Sequence, residues 1–467
     1  MVVGEMPEGL DFVVIGAGPG GYTAALEAAA AGRSVTIIDR IGTEGIGGTC
    51  LLEGCIPSKA LIETADLRSR ALSFADSALG FDAAPIDMGR FQSWKDSVVT
   101  TLSRGVHGRL KSAGVDVVTG SFCFTGANRG VIEIGGDSPP QHIEFEDAVI
   151  AVGSTAIEIS PLPFDGARVY DAAGILDLDE LAADLVVVGG GYIGVEIGTA
   201  MRKLGSTVTI VEATDSILPG MPPSAVKQVT RRADALGIEV LTGHSARGLS
   251  ASGVEVVDGT GAERSIDADA VLVSVGRRPA TRQLGLAAAG IRTDEAGLIP
   301  VDAGMRATTH IAAVGDVVSG PALAHKAIAE AKVAASALCG QRAELLSTVV
   351  PLVVFSDPEI AVVGLDETSA KSAGIRTSAV RMPFRASGRA ATMGAVEGSV
   401  ELVVDLDTHA VVGGVLVGAH VSELIGEVVL AIEMAATPED LALSVHPHPT
   451  VSEMIPDTAA NFVPYAG

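Results

Sequence analysis

One arrangement of residues occurs twice in this chain and limits what it can fold into. The apolar run Phe12-Val13-Val14-Ile15 leads into Gly16-Ala17-Gly18-Pro19-Gly20-Gly21. An alanine-rich stretch from Thr23 to Ala31 follows, and a second apolar run, Ser34 to Ile38, ends at Asp39. Downstream, Leu185 to Val188 leads into Gly189-Gly190-Gly191-Tyr192-Ile193-Gly194. A helical stretch from Val195 to Leu204 and an apolar run from Thr207 to Val211 then end at Glu212. In both copies the acid stands 23 positions after the first glycine (16 to 39, and 189 to 212). One glycine turn is weak information. Two, each with its strand, helix, strand and terminal acid, specify an α/β chain with two Rossmann-like dinucleotide-binding units.

Each residue type answers a physical demand. Gly16 and Gly189 permit the tight turn, Gly18 and Gly191 let backbone approach a pyrophosphate, and Gly21 and Gly194 let helix and strand pack closely. The helix N-terminus that follows offers N–H donors to phosphate oxygens. Asp39 and Glu212 are placed to accept hydrogen bonds from a ribose. A carboxylate at Glu212 repels a 2′-phosphate, and Ala213-Thr214-Asp215-Ser216 holds no Arg or Lys to receive one, which predicts NAD rather than NADP at the second unit.

Between the units stands Gly47-Gly48-Thr49-Cys50-Leu51-Leu52-Glu53-Gly54-Cys55-Ile56-Pro57-Ser58-Lys59. A five-residue offset on a regular helix rises about 7.5 Å. That exceeds the usual Cα separation of a disulfide, about 4.4–6.8 Å. Bonding these cysteines therefore requires a distorted first turn, which Gly54 is suited to supply. Zinc normally demands further Cys or His ligands at suitable spacing, and none are near, so no metal site is expected. With four cysteines in 467 residues, a disulfide scaffold is excluded. Cys123 and Cys339 read as isolated buried residues, and the close pair reads as redox-active.

The net charge of -25 and a pI near 4.7 argue against nucleic acid as a partner. No apolar run approaches the roughly 20 residues that span a bilayer. Met1 to Leu10 lacks a signal-peptide pattern, so the expected location is the cytoplasm.

These motifs, with Gly276-Arg277-Arg278-Pro279, Val314-Gly315-Asp316, Leu323-Ala324-His325-Lys326-Ala327 and His446-Pro447-His448-Pro449-Thr450-Val451-Ser452-Glu453, run in one order over the whole chain. In that order the chain resembles the flavoprotein disulfide reductases, and among them the dihydrolipoamide dehydrogenases. The resemblance implies an FAD-binding domain over 1–150, an NAD-binding domain over 151–275, a central domain over 276–345 completing the FAD site, and an α+β dimerisation domain over 346–467. It implies FAD held by Gly16, Gly18, Gly21, Asp39, Thr49, Lys59, Gly153, Asp316, Ala324 and His325. It implies NAD held by Gly189, Gly191, Tyr192, Ile193, Gly194, Glu196, Glu212 and Gly276. It further implies that Cys50 is the thiol nearer the substrate and Cys55 the one nearer the flavin, and that Lys59 pairs with Glu196 near the flavin. By the same resemblance His448, oriented by Glu453, is the base that reaches the cysteine pair of the other subunit of a homodimer, with His446 supporting.

The implied activity is oxidation of protein-bound dihydrolipoyl groups, with electrons passed to NAD. The implied partner is a lipoyl-bearing protein of a 2-oxo-acid dehydrogenase or glycine-cleavage complex. Val463 to Gly467 holds no further cysteine pair, which sets aside mercuric reductase and the large thioredoxin reductases. Soluble transhydrogenases lack the cysteine that Cys55 supplies, and glutathione reductase carries cations near the position of Glu212. Three stretches depart from the family pattern: Ala151-Val152-Gly153, Ser387-Gly388-Arg389 and Asp357-Pro358-Glu359. They leave two other readings open, a reductase of another small disulfide and a mainly structural flavoprotein subunit.

Overall fold

The structure is a computed structural model, and it describes residues 7–74, 80, 84–136, 138–345 and 349–462. The two chain ends read above, 1–6 and 463–467, lie outside the described residues.

Strand Glu8–Ile15 is the centre of the first sheet. It pairs in parallel with Val35–Asp39 on one side and Gln141–Ile150 on the other. Asp116–Thr119 and Ile311–Ala313 extend the parallel part, and Arg129–Glu133 and Ser121–Gly126 add an antiparallel hairpin. Phe12, Val13 and Val14 are fully buried, as a continuous apolar run must be when helices cover both faces of its sheet. Helix Pro19–Ala30 packs on helix Ala324–Leu338, and Ala24, Ala25 and Ala28 of the first and Ala331, Ala334 and Ala335 of the second are buried in one core. Alanines bring the two backbones close, which explains how a chain so poor in aromatics fills its core.

The second sheet repeats the design. Glu239–Thr242, Thr207–Glu212, Asp184–Val188, Ala270–Val273 and Val169–Tyr170 are all parallel. A short antiparallel pair, Ser154–Ala156 with Arg277–Pro279, links the two sheets. The stretch 276–345 has no sheet of its own among the described residues, because its strand Ile311–Ala313 joins the first sheet beside Gln141–Ile150. The last part of the chain forms a five-stranded antiparallel sheet in the order Leu352–Val354, Glu359–Gly364, Val411–Gly418, Ser399–Asp405, Thr377–Pro383.

Helix limits move for local reasons. The first glycine-turn helix begins at Pro19, four residues before Thr23, because proline at the first helical position loses no needed N–H. The second begins at Tyr192 rather than Val195. Beyond the glycine turns, a helix of the last part of the chain runs Val421–Glu433. Ala435 there turns left-handed (φ 50°), and Ala436 N–H closes back on Ala431 O at 2.8 Å. That helix buries Val421, Ile425, Val428 and Ala431 against the sheet and leaves Leu430 and Met434 exposed.

Candidate active site

The cysteine segment is docked on the first glycine turn. Gly47 N–H donates to Ala17 O at 2.9 Å, and Gly47 and Gly48 both take positive φ. A β-carbon on Gly48 would lie 2.6 Å from the Gly18 Cα, so only glycine allows this approach. Cys50 lies in the one-turn helix Gly48–Leu52, and Cys55 opens the long helix Cys55–Ser73. The expected distortion of one first turn is thus a break between two helices. Glu53 leaves helical geometry and Gly54 is neither helical nor extended (φ -129°, ψ -99°). A side chain at Gly54 would press on Thr49 O at 3.0 Å.

The two sulfurs stand as free thiols that share a hydrogen bond. That bond, then burial, raises the Cys50 thiol far above its ordinary value. The same bond, helped by the Lys59 ammonium and opposed by burial, lowers Cys55 to about 7. Lys59, nearer in effect to Cys55, thus favours negative charge at Cys55 over Cys50. Cys123 and Cys339 are half-buried rather than buried.

Lys59 lies one turn into the Cys55 helix. Its Nζ meets Glu196 Oε2 at 2.7 Å and sits 4.4 Å from the Phe355 ring centre. The Glu196 side chain is only 4% exposed, and its other oxygen accepts Phe355 N–H at 2.8 Å. Tyr192, a turn before Glu196, has its hydroxyl pushed up to about 12 by burial and by the nearby Glu196 carboxylate.

A second cluster surrounds Asp316. Ser154 Oγ donates to its carboxylate, Arg277 Nε donates to Ser154 Oγ at 2.8 Å, and Arg277 Nη2 donates to Ser154 O at 2.7 Å. Behind Asp316, Lys326 and Glu330 form a buried ion pair of 2.8 Å. Glu330 accepts Gly315 N–H at 2.7 Å and Lys326 donates to Gly315 O at 3.2 Å. Ala324 opens the helix that carries this pair, and His325 Nε2 lies 2.8 Å from Pro351 O.

The glycine turns have the same construction in both units. A β-carbon on Gly21 would fall 1.9 Å from Gly16 O, and one on Gly194 would fall 2.1 Å from Gly189 O. Gly191 instead faces open space and Gly18 meets only the Gly48 Cα at 3.9 Å, and no side chain caps either helix that follows. Free N–H donors beside open backbone suit a pyrophosphate. Gly153 and Gly276 both take positive φ, at the ends of the linking strands Ser154–Ala156 and Arg277–Pro279. Each acid also braces its own turn: Asp39 Oδ2 accepts Ala17 N–H at 3.0 Å, and Glu212 Oε2 accepts Gly190 N–H at 2.7 Å. Glu212 Oε1 accepts from the Thr214 N–H and hydroxyl, both at 2.8 Å.

His448 Nδ1 lies 2.8 Å from Glu453 Oε1, and Glu453 Oε2 accepts Thr450 N–H at 2.8 Å. The Thr450 N–H, then His448, hold the Glu453 carboxyl below its usual range, so it stays ionised beside the ring. The His448 side chain is 81% exposed. Among the described residues, no hydrogen bond or ion pair joins it to Cys50 or Cys55. His446 Nε2 pairs with Glu427 at 2.9 Å; burial works against its protonation, but the Ser444 carbonyl and Glu427 outweigh it and raise its pKa.

Residues 10–331 match the pyridine nucleotide-disulphide oxidoreductase family, and residues 350–459 match the dimerisation domain of the same family. The chain belongs to this family. The family's dinucleotide units take FAD and NAD. The dihydrolipoyl dehydrogenase of Geobacillus stearothermophilus is 42% identical over 463 residues, covering 98% of this chain and 97% of that one. The Haloferax volcanii dihydrolipoyl dehydrogenase is 43% identical over 469 residues, covering 99% and 98%. Among solved structures, LpdA from Mycobacterium tuberculosis superposes with a TM-score of 0.88 at 29% identity over 97% of this chain and 99% of that one. The HOCl-induced flavoprotein disulfide reductase RclA from Escherichia coli gives 0.85 at 28% over 97% and 99%.

Ser154, Phe355 and Glu330 escaped the sequence reading. Arg277 and Lys326 lay inside quoted motifs without a role. Only Glu330 had a usable signal, as an acid four residues after Lys326 on one helix.

Proposed function

We propose that this chain is a dihydrolipoyl dehydrogenase, oxidising a dihydrolipoyl dithiol at Cys50–Cys55 with NAD as the final acceptor. The observation that carries the reading is the cysteine pair itself, which is seated on a dinucleotide turn beside Lys59–Glu196. Full-length relatives with this name support it.

Bound FAD and NAD supply the two-electron transfer that re-forms the disulfide. Glycines 16, 18 and 21, Asp39, Thr49, Lys59, Gly153, Asp316, Ala324 and His325 would hold FAD. Glycines 189, 191, 194 and 276, Tyr192, Ile193, Glu196 and Glu212 would hold NAD.

The thiol chemistry belongs to the protein. His448 of the partner subunit takes a proton from the first substrate thiol, because thiolate rather than thiol attacks sulfur. That thiolate attacks Cys50 Sγ in the enzyme disulfide. A Cys50–substrate bond forms, the Cys50–Cys55 bond breaks, and Cys55 leaves as the thiolate that Lys59 stabilises. The second substrate sulfur then displaces Cys50, giving the substrate disulfide, and Cys50 recovers a proton.

A homodimer follows from the dimerisation domain, from the exposed Leu430, Met434, Leu443 and Val445, and from the solvent-facing His448. A lipoyl-bearing protein of a 2-oxo-acid dehydrogenase or glycine-cleavage complex supplies the substrate, and the cytoplasm is its place of action. No helix among the described residues is long and apolar enough to cross a membrane. The acidic surface would dock a basic binding domain, so complex assembly should weaken strongly with salt.

The test is to purify the protein, record its flavin spectrum and assay NAD reduction by dihydrolipoamide. Flavin with turnover of a different disulfide only would replace the substrate assignment. Flavin without any dithiol turnover would replace the enzymatic one.

A further inference from the structure

Two helices run side by side beneath the redox pair. Cys55–Ser73 carries Cys55 and Lys59 near its start, and Tyr192–Leu204 carries Glu196 near its start. The first tie between them is Lys59–Glu196. A second lies seven residues further along both helices (59 to 66, and 196 to 203): Lys203 Nζ meets Asp66 Oδ1 at 2.5 Å. Arg68 Nη1 also donates to Lys203 O at 2.7 Å. Seven residues are about two helical turns, so both ties fall on the facing sides of parallel helices. They fix the axial register of one helix against the other.

One short segment spans both ties. Phe355 touches the first, through its N–H to Glu196 and its ring beneath Lys59. Asp357 touches the second, through Lys203 Nζ at 2.8 Å and through Arg232 Nε and Nη2, each at 3.1 Å. Asp357 is one of the positions where this chain departs from the family pattern. Between them, buried Ser356 donates to Pro358 O at 2.7 Å, which fixes the bend. The Lys203 side chain is only 7% exposed, so its attraction to both carboxylates is weakly screened.

The geometry points to Asp357, Lys203 and Asp66 as positioning residues that hold Phe355 and Glu196, and through them Lys59, in place beside Cys55. This rests on the reading of Lys59 and Cys55 as parts of the redox centre. Asp357 holds the segment, the segment holds Phe355, and Phe355 occupies one Glu196 oxygen so that the other faces Lys59. The groups acting on Cys55 itself are Cys50, Lys59 and Glu196, and Cys55 in turn acts on the Tyr192 hydroxyl. None of the three positioning residues touches Cys55.

The test uses the flavin-loaded dimer in a Cys50→Ser background, so that one site thiol titrates. A thiolate against oxidised flavin gives a long-wavelength band, and its absorbance against pH gives the Cys55 midpoint. Adding Asp357→Asn should move that midpoint up by roughly 0.5–1 pH unit as Lys59 drifts away. A purely through-space effect has the opposite sign, because removing a negative charge favours a thiolate. Lys203→Gln should also raise the midpoint, and Lys203→Arg should restore most of it. An unchanged or lowered midpoint in Asp357→Asn, with Lys59→Met raising it, would overturn the positioning role alone. A parent that shows no band at any pH would overturn the reading of the site, and this proposal with it.

Discussion

Gly191→Ala separates a glycine kept for a ligand from one kept for packing. Gly191 has φ -70° and ψ 179°, extended backbone that any residue adopts, and a β-carbon there meets nothing within 4 Å. The folded chain loses no contact, while the unfolded chain loses freedom, so stability should hold or rise by about 0.4–1 kcal/mol. The methyl group would occupy the space through which a pyrophosphate approaches the helix N-terminus. A dinucleotide held away from those N–H groups should lose at least about 1.4 kcal/mol, a tenfold rise in KM for NAD. Gly194→Ala is the contrast, since its β-carbon would sit 2.1 Å from Gly189 O and 2.8 Å from Ser274 Oγ. It should lower the melting temperature and impair NAD use together. Steady-state kinetics with NAD and thermal unfolding of both variants decide the matter. A Gly191→Ala protein with an unchanged KM, or with a melting temperature several degrees lower, would refute the assignment of that space to the pyrophosphate.

Lys326→Met should cost about 3 kcal/mol near neutral pH, because it strands the Glu330 carboxylate in the core. Burial already raises the Glu330 pKa, so its contribution is present at low pH and lost as pH rises; without Lys326 the loss deepens. Denaturation should therefore show the gap from wild type widening as pH rises above the ordinary carboxylate range, and a constant gap would contradict the ion-pair account. His448→Gln should lower kcat with dihydrolipoamide by about 10²–10⁴-fold while the melting temperature stays put, given the exposure of this side chain. Cys50→Ser should keep bound flavin and lose dithiol turnover, so retained turnover would remove Cys50 from the path. Met434→Glu should weaken the dimer in sedimentation analysis and reduce activity in parallel; an active monomer would show that no group from a second subunit is needed.

Local requirements were legible in the sequence, and long-range partnerships were not. The glycine turns could be read because their demands are steric and confined to a few residues. A methyl group 1.9 Å from a carbonyl at Gly21 forbids every other side chain. The cysteine spacing correctly excluded a regular helix. It could not tell a distorted turn from the break at Glu53–Gly54, because both bring the sulfurs together. Ser154 and Asp316 are 162 positions apart, and a serine after a glycine carries no mark of what it will bond. Phe355 was hidden in the same way, since its role depends on a backbone N–H that every non-proline residue has. The acids at the ends of the second strands were read as ribose ligands, and each closes its own glycine turn. The fixed spacing of 23 fits that bracing as well as it fits a ribose, which is why spacing alone did not separate the two readings.

The two nucleotide units share one construction and differ in what stands over it. In the first, Gly48 lies across Gly18, and Gly47 is hydrogen-bonded to Ala17. The cysteine segment thus closes over the turn. In the second, nothing lies within 4 Å of the position a β-carbon would take on Gly191, and Tyr192 beside it is partly exposed. The backbone beside the second turn is thus more open than that beside the first. The segment after the second unit is tied at the corresponding place, Leu218 N–H donating to Gly190 O at 2.7 Å, so what distinguishes the first is the contact of Gly48 with Gly18 and the cysteines that follow it.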